Sequence, residues 1–358
     1  MIQAIKPTIH DNPLALDGFE FVEFASPEPA KLADFFLKLG FTKIAKHRSK
    51  NVTLFRQGEI NFILNEEPNT HAQAFTKDHG PCACAMAFRT QDANKAFDMA
   101  IKKGAKPYLE GKVGPGELQI PAIYGIGDSL LYFVDKYQKE SIYDTDFVPL
   151  SGVDQHPKGE GLAIIDHLTH NVFQGQMEKW ANFYKDIFNF YEIRYFDIKG
   201  EKTGLVSYAL SSPCGKIKIP LNESKDDKSQ IAEYLHEYKG EGIQHIALAT
   251  NDIYNSIEKL RDKGLNFLTT PDTYYEMIRE RVKGHREDIA RMQKNQILID
   301  GEVANNEERI LLQIFTENVI GPIFFEIIQR KGNDGFGEGN FRALFLAIER
   351  DQMRRGVL

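Results

Sequence analysis

Three side chains combine the residue type and the setting that metal chemistry requires: His167, His245 and Glu326. His245 is set in the apolar run Gly242-Ile243-Gln244-His245-Ile246-Ala247-Leu248-Ala249-Thr250. The two-residue period of a strand puts Ile243, His245, Ala247 and Ala249 on one face, so the imidazole points where otherwise only apolar groups point. Alone, such a histidine reads as a core residue bonded to a carbonyl. It is not alone. His167 takes the same place in Ile164-Ile165-Asp166-His167-Leu168-Thr169-His170-Asn171-Val172, and Gly321-Pro322-Ile323-Phe324-Phe325-Glu326-Ile327-Ile328-Gln329-Arg330 sets Glu326 among large apolar side chains. A lone ionised carboxylate there is costly, so pairing, protonation or a metal has to compensate it. Two imidazoles and one carboxylate, each on a strand, form a facial triad of the kind that holds non-haem Fe(II) and leaves further positions open for substrate and O2. Zinc favours a closed tetrahedron or a single water, so the set leans toward iron.

Other chemistry-bearing residues are read against blander roles. Gln313 and Phe315 share a face in Leu311-Leu312-Gln313-Ile314-Phe315-Thr316; they suit either core packing or a phenol that takes one hydrogen bond and one stacking surface. His170 falls three residues after His167, hence on the opposite face, as a surface or supporting histidine. Gln244 alternates with His245 in the same way and is retained as a substrate contact. Gly335-Phe336-Gly337-Glu338-Gly339 resembles a phosphate loop, but no Lys-Ser/Thr follows and the βαβ context is missing, so it reads as a turn and hinge. No Gly-x-Ser-x-Gly elbow is present.

The elements that must position these residues repeat. A strand at 18–25, a helix at 27–39 stopped by Gly40, and strands at 42–46, 51–56 and 60–64 make βαβββ. The pattern returns from Cys82, again from Ile164 and again from Gly242, and each copy needs a neighbour to cover its sheet. Equivalent inward positions are Phe21, Ala85, His167 and His245, with Tyr132 matching Glu326, so only the second half offers ligands. The polar segment 136–160 is the expected boundary between an N-terminal domain without a metal (1–150) and a catalytic C-terminal domain (151–358). The charged insertion 272–291 reads as a solvated helix. The tail from Gly335 reads as a glycine-rich hinge followed by an amphipathic helix that carries Phe341, either a lid that closes over the site or a helix docked permanently on the second domain.

At 358 residues the chain has room for two cores, and its formal charge of −7 argues against nucleic acid or an anionic membrane as partner. The N-terminus lacks the build of a signal peptide and no segment has the apolar length of a membrane span, so the expected location is cytoplasmic. Cys82, Cys84 and Cys214 read as reduced thiols.

At this point the chain resembles the 4-hydroxyphenylpyruvate dioxygenase family of the vicinal-oxygen-chelate (glyoxalase-like) superfamily over nearly its whole length. The likeness is densest in Ile165 to Val172, Gly242 to Leu248, Leu311 to Thr316, Phe324 to Arg330 and Gly335-Phe336-Gly337-Glu338-Gly339-Asn340-Phe341. The resemblance implies an α+β fold of four βαβββ modules paired into two half-barrels with a C-terminal lid helix. It implies His167, His245 and Glu326 as the Fe(II) ligands, Gln313, Asn222 and Gln230 as catalytic residues, and Ser207, Gln244, Phe315, Phe336, Asn340 and Phe341 as substrate contacts. The implied reaction uses one Fe(II) per chain and no organic cofactor and converts 4-hydroxyphenylpyruvate and O2 to homogentisate and CO2, an oxidoreductase step in tyrosine and phenylalanine catabolism, by a homo-oligomer (dimer or tetramer). Hydroxymandelate synthase shares that substrate and metal but hydroxylates the benzylic carbon, and the ring bulk of Phe315 and Phe341 favours ring attack. From another class, a metal-silent small-molecule-binding protein of the same fold is the alternative.

Overall fold

The computed structural model describes residues 10–199, 204–225, 229–305 and 307–340. The expected lid helix and Phe341 lie outside the described residues. The first βαβββ module comprises β1 (Phe19–Ala25), α1 (Pro29–Lys38), β2 (Thr42–His47), β3 (Val52–Gln57) and β4 (Ile60–Asn65). A connecting helix, α2 (His71–His79), leads to β5 (Cys82–Arg89), α3 (Ala93–Lys102), β6 (Pro107–Tyr108), β7 (Ala122–Tyr124) and β8 (Leu130–Val134). After α4 (Ile142–Asp146) and β9 (Phe147–Pro149), the third module runs β10 (Leu162–Val172), α5 (Met177–Asn182), β11 (Tyr191–Lys199), β12 (Gly204–Ser211) and β13 (Lys218–Ser224). A second connector, α6 (Gln230–Tyr238), precedes β14 (Gly242–Thr250), α7 (Ile253–Asp262), α8 (Asp272–Glu276), α9 (Ile278–Arg281), α10 (Ile289–Asn295), β15 (Leu298–Ala304), β16 (Glu307–Phe315) and β17 (Phe324–Lys331). No helix among the described residues is long and apolar enough to cross a membrane.

The strands form two curled sheets, β6-β7-β8-β5-β1-β4-β3-β2-β9 and β11-β12-β13-β10-β14-β17-β16-β15, each with helices on one face, the α+β half-barrel arrangement. The helix-covered faces of both sheets merge into one apolar core, where Phe35 and Phe62 meet Phe325 with ring centroids 5.4 and 5.9 Å apart and Phe88 meets Phe188 at 5.5 Å. The duplication shows in the register. In the first sheet Phe21 pairs with Ala87, Glu23 with Ala85, and Ala87 with Tyr132; in the second His167 pairs with Ala247, Thr169 with His245, and Ala247 with Glu326. Phe21, Ala85 and Tyr132 therefore stand where His167, His245 and Glu326 stand. The concave face around them is filled by Ile63, Val134, Ile142, Tyr143 and Phe147.

Several segments differ from the sequence expectation. Connectors α2 and α6 went unread, although Thr70 and Ser229 cap them by accepting from Gln73 and Ala232 N–H. The segment 136–160 is not without structure: Ser141 and Asp144 form a capping box that starts α4, and β9 pairs with β2. Strand β15 went unread. The insertion 272–291 is packed rather than solvated, with Tyr274 and Ile278 fully buried under its charged residues. The helix from Met177 ends in a π-helical turn, Phe183–Ile187, that seats Tyr184 and Ile187 in the core.

Candidate metal centre

Strand β10 lies between β13 and β14, and β14 between β10 and β17, so the strands carrying the two histidines and the carboxylate are consecutive in the sheet. Their ligand atoms fall within 4.8 Å of one another. His167 Nε2 is 3.3 Å and His245 Nε2 3.5 Å from Glu326 Oε2, with Glu326 and His167 at most 2% exposed.

Two β-bulges shape this cluster. Between Ile165 and His167 strand β10 carries one residue more than β14, namely Asp166; between Thr169 and His170 strand β14 carries one more than β10, namely Gln244. Each extra residue breaks the alternation just before a histidine, and its side chain reaches the ring that follows. Asp166 Oδ1 is 2.8 Å from His167 Nδ1, and Gln244 Oε1 is 3.2 Å from His245 Nδ1. Gln244 thus shares the concave face with His245, which corrects the opposite-face reading that strict alternation gives. An acceptor oxygen at Nδ1 requires the proton there, leaving Nε2 as the free lone pair of His245, to which the Thr169 hydroxyl donates at 2.9 Å.

Charge follows the same plan. Burial pushes the Glu326 carboxyl up, but His167 and then His245 more than offset this and hold it at about 2. Burial lowers His167, yet Glu326 and Asp166 outweigh it and leave the ring raised, whereas His245, with an amide in place of a carboxylate, stays lowered by burial. Asp166 is itself held low against burial by Arg330, which clamps it through Nε at 2.8 Å and Nη2 at 2.7 Å. Glu326 Oε1 is buried without a hydrogen-bond partner among the described residues. A buried carboxylate with one orphaned oxygen and two imidazoles converging on it are the residue types of a 2-His-1-carboxylate facial triad, so the residues fit Fe(II).

Aromatic rings and amides border the cluster. Phe336 meets His167 edge to face with centroids 5.1 Å apart; Phe324 stacks on His245 at 4.9 Å and touches Phe315 at 6.0 Å. Phe315 is paired with Glu326, and Gln313, two residues before it, is buried with Oε1 unpartnered among the described residues. Ser207 on β12 stands opposite Asn222 on β13, which stands opposite Asn171 on β10. Asn340 is buried, its Oδ1 accepting from Tyr274 Oη at 2.6 Å and from Arg281 Nη2 at 3.1 Å while Nδ2 has no partner among the described residues. Gln230 differs: it opens α6 with its side chain exposed. His170 is not at the surface but fully buried, 2.7 Å from Tyr184 Oη beneath the sheet.

The glycine-rich turn is anchored, not loose. Of Gly335, Gly337 and Gly339 only Gly337 has positive φ (+78°), and a Cβ there would lie 1.9 Å from Gln313 Oε1; at Gly339 it would lie 2.2 Å from Asp300 Oδ1. These glycines permit close approach. Arg330 Nη1 donates to the Gly335 carbonyl at 2.6 Å and Gly339 N–H to Asp300 at 2.7 Å.

Sequence reasoning missed Asp166, Arg330, Phe324 and Thr169. The signal for the first was present: an acid beside the histidine in an apolar strand.

Comparison with known proteins matches residues 10–148 to the family model "Hydroxyphenylpyruvate dioxygenase, HPPD, N-terminal" and residues 164–282 to "Glyoxalase/Bleomycin resistance protein/Dioxygenase superfamily". The chain is 58% identical to hemolysin VllY of Vibrio vulnificus over 97% of its length and 98% of that protein. It is 55% identical to 4-hydroxyphenylpyruvate dioxygenase of Pseudomonas aeruginosa over 100% of both chains. Its fold is similar to that of a triple mutant of 4-hydroxymandelate synthase from Streptomyces coelicolor, with TM-score 0.80 and 25% identity over 94% of this chain and 99% of that one.

Proposed function

Because the chain belongs to the 4-hydroxyphenylpyruvate dioxygenase family, we propose that this oxidoreductase holds one Fe(II) on His167, His245 and Glu326 and converts 4-hydroxyphenylpyruvate and O2 to homogentisate and CO2, a step of tyrosine and phenylalanine catabolism. The observation that carries the reading is the buried convergence of the three ligand atoms in a chain so similar to named dioxygenases. Bound there, the ion supplies the site that takes the keto acid and activates dioxygen.

The rest is the work of side chains. Asp166 and Gln244 hold the imidazoles with Nε2 toward Glu326. Phe324 and Phe336 wall the two histidines and keep water from the reacting side. Phe315 and Gln313 border the substrate ring from β16, one by its aromatic face and the other as a buried amide beside it. Ser207 and Asn222 supply polar groups on the strands beyond β10 and Asn340 offers its Nδ2, whereas Gln230, exposed at the start of α6, has to turn inward to reach the substrate. The metal-silent alternative leaves the orphaned Glu326 Oε1 and both histidine tautomers without a purpose.

The test is product analysis after incubation with Fe(II), a reductant, O2 and 4-hydroxyphenylpyruvate, beside His167→Ala, His245→Ala and Glu326→Ala. Homogentisate from the parent, with folded variants that hold no stoichiometric iron, is the expected result. Hydroxymandelate as the product, or full iron and turnover in any variant, overturns it.

A further inference from the structure

The roles proposed above leave one buried amide unused. Asn171 is fully buried, and neither its Oδ1 nor its Nδ2 has a hydrogen-bond partner among the described residues. Leaving such groups unsatisfied carries a real penalty, and a side chain orphaned at both atoms is uncommon in a native interior unless something else completes it.

Its neighbours identify the face it occupies. Leu168 and Val172 point into the apolar core under the helices, and His170 reaches Tyr184 on that same side. Asn171 therefore shares the concave face with His167 and Thr169. In register it stands opposite Asn222, which stands opposite Ser207, and side chains directly opposed on neighbouring strands lie within reach of one another. Three polar side chains thus form a row across β12, β13 and β10. The next pair along β10 and β14 is Thr169 with His245, and the one after it is His167 with Ala247. Along β10 the row lies two residues, about 7 Å, beyond the Thr169–His245 pair and four residues, about 13 Å, beyond His167, so it stands further along the concave face than either histidine. A hydroxyphenyl keto acid held by its carboxylate end at the triad extends its ring hydroxyl that way.

We propose that Asn171 is the specificity residue for the ring hydroxyl, with its Oδ1 accepting the phenolic O–H. This rests on the keto acid reading above and adds a residue to it. A buried amide oxygen facing an unsubstituted ring stays unsatisfied, so the residue discriminates as well as binds.

The test is anaerobic calorimetric titration of the Fe(II)-loaded protein with 4-hydroxyphenylpyruvate and with phenylpyruvate, which lacks the hydroxyl. Asn171→Leu keeps the size and removes both polar atoms; Asn171→Ala serves if leucine impairs folding, with thermal melting measured on each. The parent is expected to prefer the hydroxylated ligand. The variant is expected to lose about tenfold to hundredfold on that ligand and to hold or improve on phenylpyruvate. Unchanged discrimination, or equal loss on both ligands, reduces Asn171 to a packing amide and overturns the proposal. If the parent binds neither keto acid, the functional reading fails and this inference falls with it.

Discussion

Asp166 and Gln244 hold equivalent places: each is the extra residue of a β-bulge one step before a ligand histidine, and each sets a side-chain oxygen against Nδ1 of that ring, at 2.8 Å and 3.2 Å. The first sheet keeps the same bulges at Glu20 and Cys84, before Phe21 and Ala85, so the device belongs to the duplicated fold and stands beside histidines in one half only. The two oxygens differ in charge. A carboxylate at His167 and an amide at His245 make the first ring the more basic donor.

That asymmetry predicts unequal losses. Asp166→Ala should weaken metal binding by roughly 10- to 100-fold. Gln244→Ala should weaken it by less, since the contact it removes is longer and uncharged. Titration of the metal-free chain with Co(II), followed by its d–d absorption, compares them directly. Parent-like affinity in Asp166→Ala would remove its orienting role.

Arg330 ties this carboxylate to the Phe336 turn: it donates twice to Asp166 and also to the carbonyls of Asn333 and Gly335. Asp166→Ala strands a guanidinium that is only 15% exposed and should destabilise the chain by about 3–5 kcal/mol in urea denaturation. Adding Arg330→Met should recover much of that stability without recovering metal affinity. A double variant no more stable than Asp166→Ala would show that the ion pair is not the source of the loss.

What could be read in the sequence was what alternation carries. His167, His245 and Glu326 sit in apolar strands, where the period of two assigns faces, and the β-bulges happen to fall beside the histidines and leave their own facing intact. The same bulges hid Gln244 and Asp166, because one extra residue reverses the face that counting assigns. The three glycines of the 335–340 turn read as freedom, since only coordinates reveal that Gln313 and Asp300 press against them. Tyr274 and Ile278 were lost among the charges of their insertion, whose short helices bury single residues and give no sustained period.

His170 predicts an acid sensitivity. Burial lowers its pKa to about 3 from an ordinary value of 6.5. Since the unfolded chain then binds the proton more readily, the native state has its full stability above pH 6.5 and loses it as pH falls from there toward 3. The loss is about 1.4 kcal/mol per pH unit in that window. Replacing His170 with Gln removes this contribution. Urea denaturation at pH 7.5, 6.0 and 5.0 should show the variant gaining on the parent as the pH drops, against a constant difference above 6.5. A pH-independent difference would mean that the buried ring does not stay neutral.

Gly337 offers a comparison with Gly80, because both have positive φ, +78° and +74°, but differ in their surroundings. At Gly80, which ends α2, an added Cβ meets nothing within 4 Å, so Gly80→Ala should lose only the backbone cost of an alanine at φ +74° and ψ −149°, a region that glycine alone adopts freely, about 1–3 kcal/mol. At Gly337 the same methyl would fall 1.9 Å from Gln313 Oε1, and Gln313 is a buried side chain on β16 between strands β15 and β17. Either the turn withdraws or the amide rotates away from the concave face. Both displace groups that border His167, because Phe336 in the same turn lies against that ring. Gly337→Ala should therefore exceed Gly80→Ala in stability loss and, unlike it, reduce coupling of O2 consumption to product. Melting curves for both variants, together with oxygen uptake set against product formed, separate the two effects. Equal melting shifts and parent-like coupling in Gly337→Ala would show that the turn absorbs the methyl group without disturbing Gln313.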